Sequence, residues 1–129
     1  LKYVPPLTHN LYKGQMGRIG VVGGSPDYTG APYYSGEAAI RFGADLSSIF
    51  CELSASVPIK SYSPELMVSP FYSYEGDLSR SDISFATAPL LSALPRLHSF
   101  VFGPGLGRDP KVAYEVLVIL STAIEAGKQ

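Results

Sequence analysis

Twice along this chain a short apolar run, rich in β-branched residues, stops on glycine and gives way to a loop and then to a helix opened by proline. Arg18-Ile19-Gly20-Val21-Val22 runs into Gly23 and Gly24, and Pro32 follows the loop 25–31. Ser99-Phe100-Val101-Phe102 runs into Gly103-Pro104-Gly105-Leu106-Gly107, followed by Asp109 and Pro110. Short apolar runs of this kind suit strands buried on both faces. Proline fits the first helical turn because its missing N–H is unneeded there. Strand, glycine loop and helix in repetition predict an α/β fold: a mostly parallel sheet with helices on both faces.

The remaining segments fit this plan. The first helix carries Tyr34, Ala38 and Phe42 at four-residue spacing, expected on one packing face. Tyr33 and Tyr34 are read as helix-packing residues. Gly36 and Gly43 cost that helix roughly 1 kcal/mol each relative to Ala, so close packing is expected at them. A second strand is expected over 46–53, a short helix or loop over 54–64, and a third strand over 65–71. Residues 72–84 read as a polar surface loop. A helix over 87–97 meets Pro95, which ends or kinks it. Strand 99–102 comes fourth. A last helix starts after Asp109 as N-cap and runs to about Ala126, with Gly127 as C-cap. Within it, Val116–Leu120 is apolar all round. That pattern fits a deeply buried helix or a strand, and the caps favour helix. In this architecture a helix delivers the next strand. The last helix here is followed by none, so the reading expects a chain truncated after about four strands.

Composition removes several function classes. With 129 residues, 46% hydrophobic and 16% charged, the chain suits one globular domain or part of one. Its formal net charge of −1 and lack of Lys/Arg clusters argue against nucleic acid as partner. No apolar run reaches the ~20 residues a membrane helix needs, so no membrane partner is expected, and no signal peptide is visible. The chain begins at Leu1 rather than Met, so a leader or chain end is expected to have been removed and targeting is unreadable. The single cysteine, Cys51, has no internal partner and reads as a small buried residue. A reducing compartment, cytoplasmic or mitochondrial, is expected. His9 and His98 lie too far apart to suggest a metal site, and His98 reads as structural.

In open α/β sheets, ligands bind beyond the carboxyl ends of strands, where helix N-termini offer free N–H groups. Both glycine loops occupy that position. Either alone is more often a plain turn than a site; together they make a site as reasonable as a pair of turns. Neither fits the common nucleotide signatures. The second loop is G-x-G-x-G, not G-x-G-x-x-G, and no G-x-x-x-x-G-K-[ST] occurs. No G-x-S-x-G elbow is present. Lys13 and Arg18 either meet phosphates or are solvated charges beside a turn, the latter being commoner. Tyr28 either stacks on a ligand ring or anchors its loop. Asp27 and Asp45 are isolated acids, with Asp45 read as a helix-end residue.

Taken in order, the motifs become specific. The run Lys13-Gly14-Gln15-Met16-Gly17-Arg18-Ile19-Gly20-Val21-Val22-Gly23-Gly24-Ser25, then Tyr28-Thr29-Gly30-Ala31-Pro32-Tyr33, resembles the opening of the NAD(P)H-hydrate dehydratases. Gly43-Ala44-Asp45-Leu46, Tyr62-Ser63-Pro64-Glu65-Leu66 and Leu97-His98 through Gly103-Pro104-Gly105-Leu106-Gly107-Arg108-Asp109 continue it. The resemblance covers essentially all of residues 1–129 and is to the ATP-using form. It implies a ribokinase-like fold and ATP-dependent dehydration of the S epimer of NAD(P)H hydrate, with ATP and Mg2+ as cofactors. Phosphorylating the ring hydroxyl would turn a poor leaving group into a good one. The resemblance also implies that Ala31, Gly105 and Gly107 line the hydrate pocket, with Gly30 a weaker candidate.

One departure counts. The family's G-x-G-D element, whose Asp is its base, occurs nowhere here, and Glu75-Gly76-Asp77 does not match it. The expectation is therefore an N-terminal part of one domain, with the catalytic base and ATP site beyond Gln129 and no activity on its own. Another ribokinase-like small-molecule kinase, an inactive shortened isoform and an NAD-dependent oxidoreductase are the rival readings. A homo-oligomer is left open.

Overall fold

A computed structural model describes residue 6 and residues 8–72 and 88–125. The sheet has four parallel strands in the order β3-β2-β1-β4. They are β1 (Arg18–Val22), β2 (Leu46–Glu52), β3 (Met67–Tyr72) and β4 (Ser99–Phe102). Helix α1 (Gly30–Phe42) joins β1 to β2 and α2 (Leu53–Tyr62) joins β2 to β3. Residues 88–93 are helical, here α3, and pass into a 3-10 turn, Leu94–Arg96, where Pro95 falls. Helix α4 (Pro110–Glu125) follows β4. The expected surface loop 72–84 lies almost wholly outside the described residues, as does the expected C-cap Gly127.

Alternation along the central strands sorts the core into two layers. Val21, Ile49, Cys51 and Val68 pack with Ala55 and Ile59 of α2 and with Tyr33 and Ile40 of α1. Val22, Phe50 and Tyr72 face the other way, against Leu90, Leu94, Leu97, Val112 and Val116. Helices thus cover both faces, as the strand–helix alternation predicts. The prolines respect the ladder. Pro70 sits in β3, an edge strand with a register shift opposite Cys51 and Glu52, where a missing N–H is tolerated. Pro58 lies inside α2, which forms as a helix nonetheless because Ala55, Ser56 and Ile59 are buried along one side.

Several expectations need correction. Gly43, expected in close packing, has nothing within 4 Å of where a Cβ would stand and instead closes α1 in the left-handed conformation, φ +117°. In α1 the face carrying Tyr34, Ala38 and Phe42 points outward, and Phe42 is 97% exposed. The packed side runs through Pro32, Gly36 and Ile40, because a small residue at 36 lets the helix sit on the sheet. A Cβ there would lie 3.1 Å from Ser47 Oγ and 3.2 Å from Ile49 Cδ1. Tyr33 does pack, but Tyr34 is exposed and only leans on it, with ring centroids 5.2 Å apart. In α4 the run 116–120 is helical but not covered all round, since Val116 is buried and Leu117 is exposed. Val112 and Val116 meet the core one turn apart, while Tyr114, Leu117 and Ile124 remain exposed. Asp45 does follow the end of α1, but its carboxylate works elsewhere. Oδ2 accepts from the backbone N–H groups of Gly14 and Met16, both at 2.9 Å, pinning the loop before β1.

Candidate functional site at the carboxyl edge of the sheet

Strand order reverses at β1, which sends the chain to β2 on one side and receives β4 on the other. The loops leaving β1 and β4 therefore part above neighbouring strands, which is where α/β sheets open a crevice. Backbone hydrogen bonds hold the two loops together. Gly103 N–H donates to the Val22 carbonyl at 3.0 Å, and Gly24 N–H donates to the Pro104 carbonyl at 2.9 Å. Gly23 leaves no room between them: a Cβ would fall 2.1 Å from Pro104 O. Gly105 has φ +67°, and a Cβ on it would stand 2.8 Å from Tyr28 O. Both glycines are required by close approach, not merely tolerated.

Between the loops lies an open cleft of about 920 Å³. Ser25, Pro26, Asp27, Tyr28 and Ala31 line it from the β1–α1 side, and Gly103, Gly105, Leu106, Gly107 and Arg108 from the β4–α4 side. Ala31, Gly105 and Gly107 are therefore brought together in one cleft. Gly30 opens α1 nearby but is not among the lining residues. Thr29, at the N-cap of α1, makes no side-chain cap; its hydroxyl pairs with Tyr62 OH at 2.8 Å instead. The first N–H groups of α1 are thus left without a side-chain acceptor from the N-cap. Helix α4 differs, since Asp109 Oδ1 accepts from Lys111 N–H at 2.7 Å, as expected of an N-cap.

The cleft floor carries a polar atom without a partner. Ser25 is buried, yet its Oγ has no hydrogen-bond partner among the described residues. Such an orphaned group costs roughly 1–3 kcal/mol. Beside it, Tyr28 is 58% exposed. Ser25 and Tyr28 exchange backbone hydrogen bonds of 3.0 and 3.3 Å, forming an isolated antiparallel bridge. The Tyr72 hydroxyl donates to the Gly24 carbonyl, tying β3 to the same loop. Glu52, buried at the end of β2, caps α2 by accepting from Ser54 N–H at 2.7 Å and Ala55 N–H at 3.1 Å.

Several residues singled out by sequence lie away from the cleft. Arg18 begins β1, at the opposite edge of the sheet, where its Nη2 meets His98 Nε2 at 2.9 Å. His98 N–H also donates to the Arg18 carbonyl at 2.8 Å, so both residues join β1 to the entry of β4. Cys51 is fully buried, and burial pushes its thiol up to about 12, the negative charge of Glu52 adding to the effect. A thiol held protonated in this way is no nucleophile. Sequence reasoning missed Glu52, Tyr72 and the orphaned Ser25. An acid immediately before a helix was a legible cap signal. The other two depend on long-range contact or burial and left no local signal.

Among the described residues, no group of three or more His, Cys, Asp or Glu could hold a metal ion, and no helix is long and apolar enough to cross a membrane. The cleft's described acidic and basic side chains are Asp27 and Arg108, with no lysine among the described lining residues. These residues do not make a magnesium–nucleotide triphosphate site by themselves.

Comparison with known proteins agrees with this geometry. Residues 19–125 match the NAD(P)H-hydrate dehydratase family. The chain is 50% identical to the ATP-dependent (S)-NAD(P)H-hydrate dehydratase of Emericella nidulans, over 90% of this chain and 33% of that protein. It is 49% identical to the Rattus norvegicus protein of the same name, over 92% of this chain and 32% of that protein. Among solved structures, a ribokinase-like superfamily protein from Enterococcus faecalis superposes with a TM-score of 0.73 at 26% identity. That match covers 91% of this chain and 37% of the other. The chain spans about a third of the length of the curated relatives it matches. With a family match over residues 19–125 and a ribokinase-like parallel sheet bearing both glycine loops at its switch point, this chain belongs to the NAD(P)H-hydrate dehydratase family.

Proposed function

We propose that this chain supplies the substrate-side wall of an enzyme that uses ATP to return the S epimer of NAD(P)H hydrate to NAD(P)H. The observation that carries the reading is the shared cleft. Two glycine loops above adjacent parallel strands approach closely enough to form one wall, lined by Ala31, Gly105 and Gly107. Backbone N–H groups and glycines present little bulk to a nicotinamide nucleotide, and the uncapped start of α1 favours an anionic group such as phosphate. The names of the relatives supply the substrate and the ATP requirement.

In this reading residues 1–129 are the N-terminal part of a single ribokinase-like domain. ATP, with Mg2+, and the group that removes the proton act from residues other than those described here. What this chain's residues do is bind and orient. Ala31, Gly105 and Gly107 seat the hydrate, and Gly30 shapes the start of the helix beneath it. ATP would convert the ring hydroxyl to a phosphate, a far better leaving group, so positioning and charge stabilisation carry the catalysis. Cytoplasm or mitochondrion fits the single cysteine, which is buried and unpaired.

The test is a coupled assay with ATP and the S hydrate, following recovery of dihydronicotinamide absorbance. The full-length protein should turn over, and the purified 129-residue chain should not. Turnover by the 129-residue chain would overturn the division of labour. No turnover by the full-length protein would overturn the assigned reaction.

A further inference from the structure

The Ser25–Tyr28 turn combines three properties not found together elsewhere along the described cleft. Its backbone is fixed. Ser25 and Tyr28 exchange hydrogen bonds at both ends of the turn, and the Tyr28 carbonyl lies where a Cβ on Gly105 would stand 2.8 Å away. Its ring is free. Tyr28 is the one aromatic residue among the described lining residues, and it is more than half exposed. Its floor is unsatisfied. Ser25 is 2% exposed and lines the same cleft, and its Oγ is shut away from water without a protein partner.

A rigid aromatic face beside an orphaned hydroxyl suits a ring with a flat conjugated segment and a polar substituent; in the hydrate that segment is the ring nitrogen, the remaining C=C bond and the carboxamide. The face offers stacking, which is sequence-tolerant and strong for heterocycles. The hydroxyl can donate to a carbonyl or accept from an amide N–H. We propose that the Ser25–Tyr28 turn is the ring-recognition element of the cleft. In it Tyr28 stacks on the flat, amide-bearing part of the nicotinamide-derived ring, and the Ser25 side chain, which no protein partner holds, turns its Oγ toward the cleft to take a hydrogen bond with the carboxamide. This rests on the proposed function for the identity of the ring. Both side chains act as positioning residues that hold the ring in register with the reacting hydroxyl.

The test uses the full-length protein with Tyr28→Phe, Tyr28→Leu and Ser25→Ala. Steady-state turnover of the S hydrate is read as KM and kcat separately. Binding of reduced nicotinamide mononucleotide is read by its own fluorescence, without ATP, with AMP as competitor. Tyr28→Phe should stay within about twofold of the parent in both. Tyr28→Leu should raise KM about tenfold while kcat changes far less, as loss of uniform binding requires. Ser25→Ala should weaken the mononucleotide several-fold. Because the Tyr28 ring is exposed, the thermal midpoint of Tyr28→Leu should stay within a few degrees of the parent, which separates recognition from folding. Unchanged KM and unchanged mononucleotide binding in Tyr28→Leu and Ser25→Ala would overturn the inference. Displacement of the mononucleotide by AMP at equal affinity would overturn it too. A protein that binds the mononucleotide through Tyr28 but turns over no hydrate would retain the ring element and lose the assigned reaction.

Discussion

Gly23 meets the neighbouring loop at a distance no side chain can share. An alanine Cβ would lie 2.1 Å from the Pro104 carbonyl oxygen, a backbone atom that cannot swing aside. Gly23→Ala should therefore force the two loops apart and cost about 2 kcal/mol or more, read by urea denaturation. Glu115 is a second residue with a definite consequence. It is buried in α4, its Oε2 has no partner, and its carboxyl is raised above the usual range, first by burial and then by the charge of Asp109. An acid raised in the folded state holds its proton more tightly there than in the unfolded chain, so stability falls as pH rises through that window. Glu115→Gln should remove this slope. Its advantage over the parent should be absent below the unfolded carboxylate range and should grow as pH climbs through the raised value. Denaturation midpoints measured from pH 4 to 8 check the sign, and a parent that gains stability relative to Glu115→Gln across that span contradicts it.

At the level of elements, the loop ahead of β1 is held by a single side chain from the start of β2. Asp45 accepts two amide hydrogen bonds from Gly14 and Met16, so Lys13–Gly17 is tied to the strand beside β1. Hydrogen bonds to a carboxylate are stronger than neutral ones. Asp45→Ala should cost about 2–3 kcal/mol by urea denaturation, and the Gly14 and Met16 amides should exchange with solvent faster. Asp45→Asn should recover part of the loss, since its side-chain oxygen still accepts. Helix α4 shows the opposite situation. Its exposed Tyr114, Leu117 and Ile124 lie away from the two valines that dock on the sheet. Periodicity alone could not tell this helix from a fully buried one, because an all-round apolar pattern does not say how many sides are covered. In α1 the pattern misled for a related reason. The residue that decides its packed face is Gly36, which carries no hydrophobic signal.

Across the whole molecule, the parallel sheet was legible from residues 18–22 and 99–102, each a short apolar run ending on glycine, and both strands form where they were expected. Caps and prolines placed the starts of α1 and α4 to within about two residues. Family membership was legible as well, since the loop motifs are local strings of residues whose order survives without coordinates. The cleft was legible only in part. The strings predicted that Ala31, Gly105 and Gly107 matter, yet nothing in them said that β4 would lie beside β1. Strand order is a choice among packings of the same elements, and here it is made by side-chain layers that meet only after the chain has folded: Val22 and Phe50 with Phe102 on one face, Val21 and Ile49 on the other. That choice sets the β1 and β4 loops against each other and leaves Ser25 Oγ without a partner beneath an exposed Tyr28. Local propensity and short-range motifs thus determined the elements and the family. Only long-range contact decided which loops share a cleft and which polar atoms stay unsatisfied, because both depend on residues about 80 positions apart in the chain coming within hydrogen-bond distance, as Gly24 and Pro104 do.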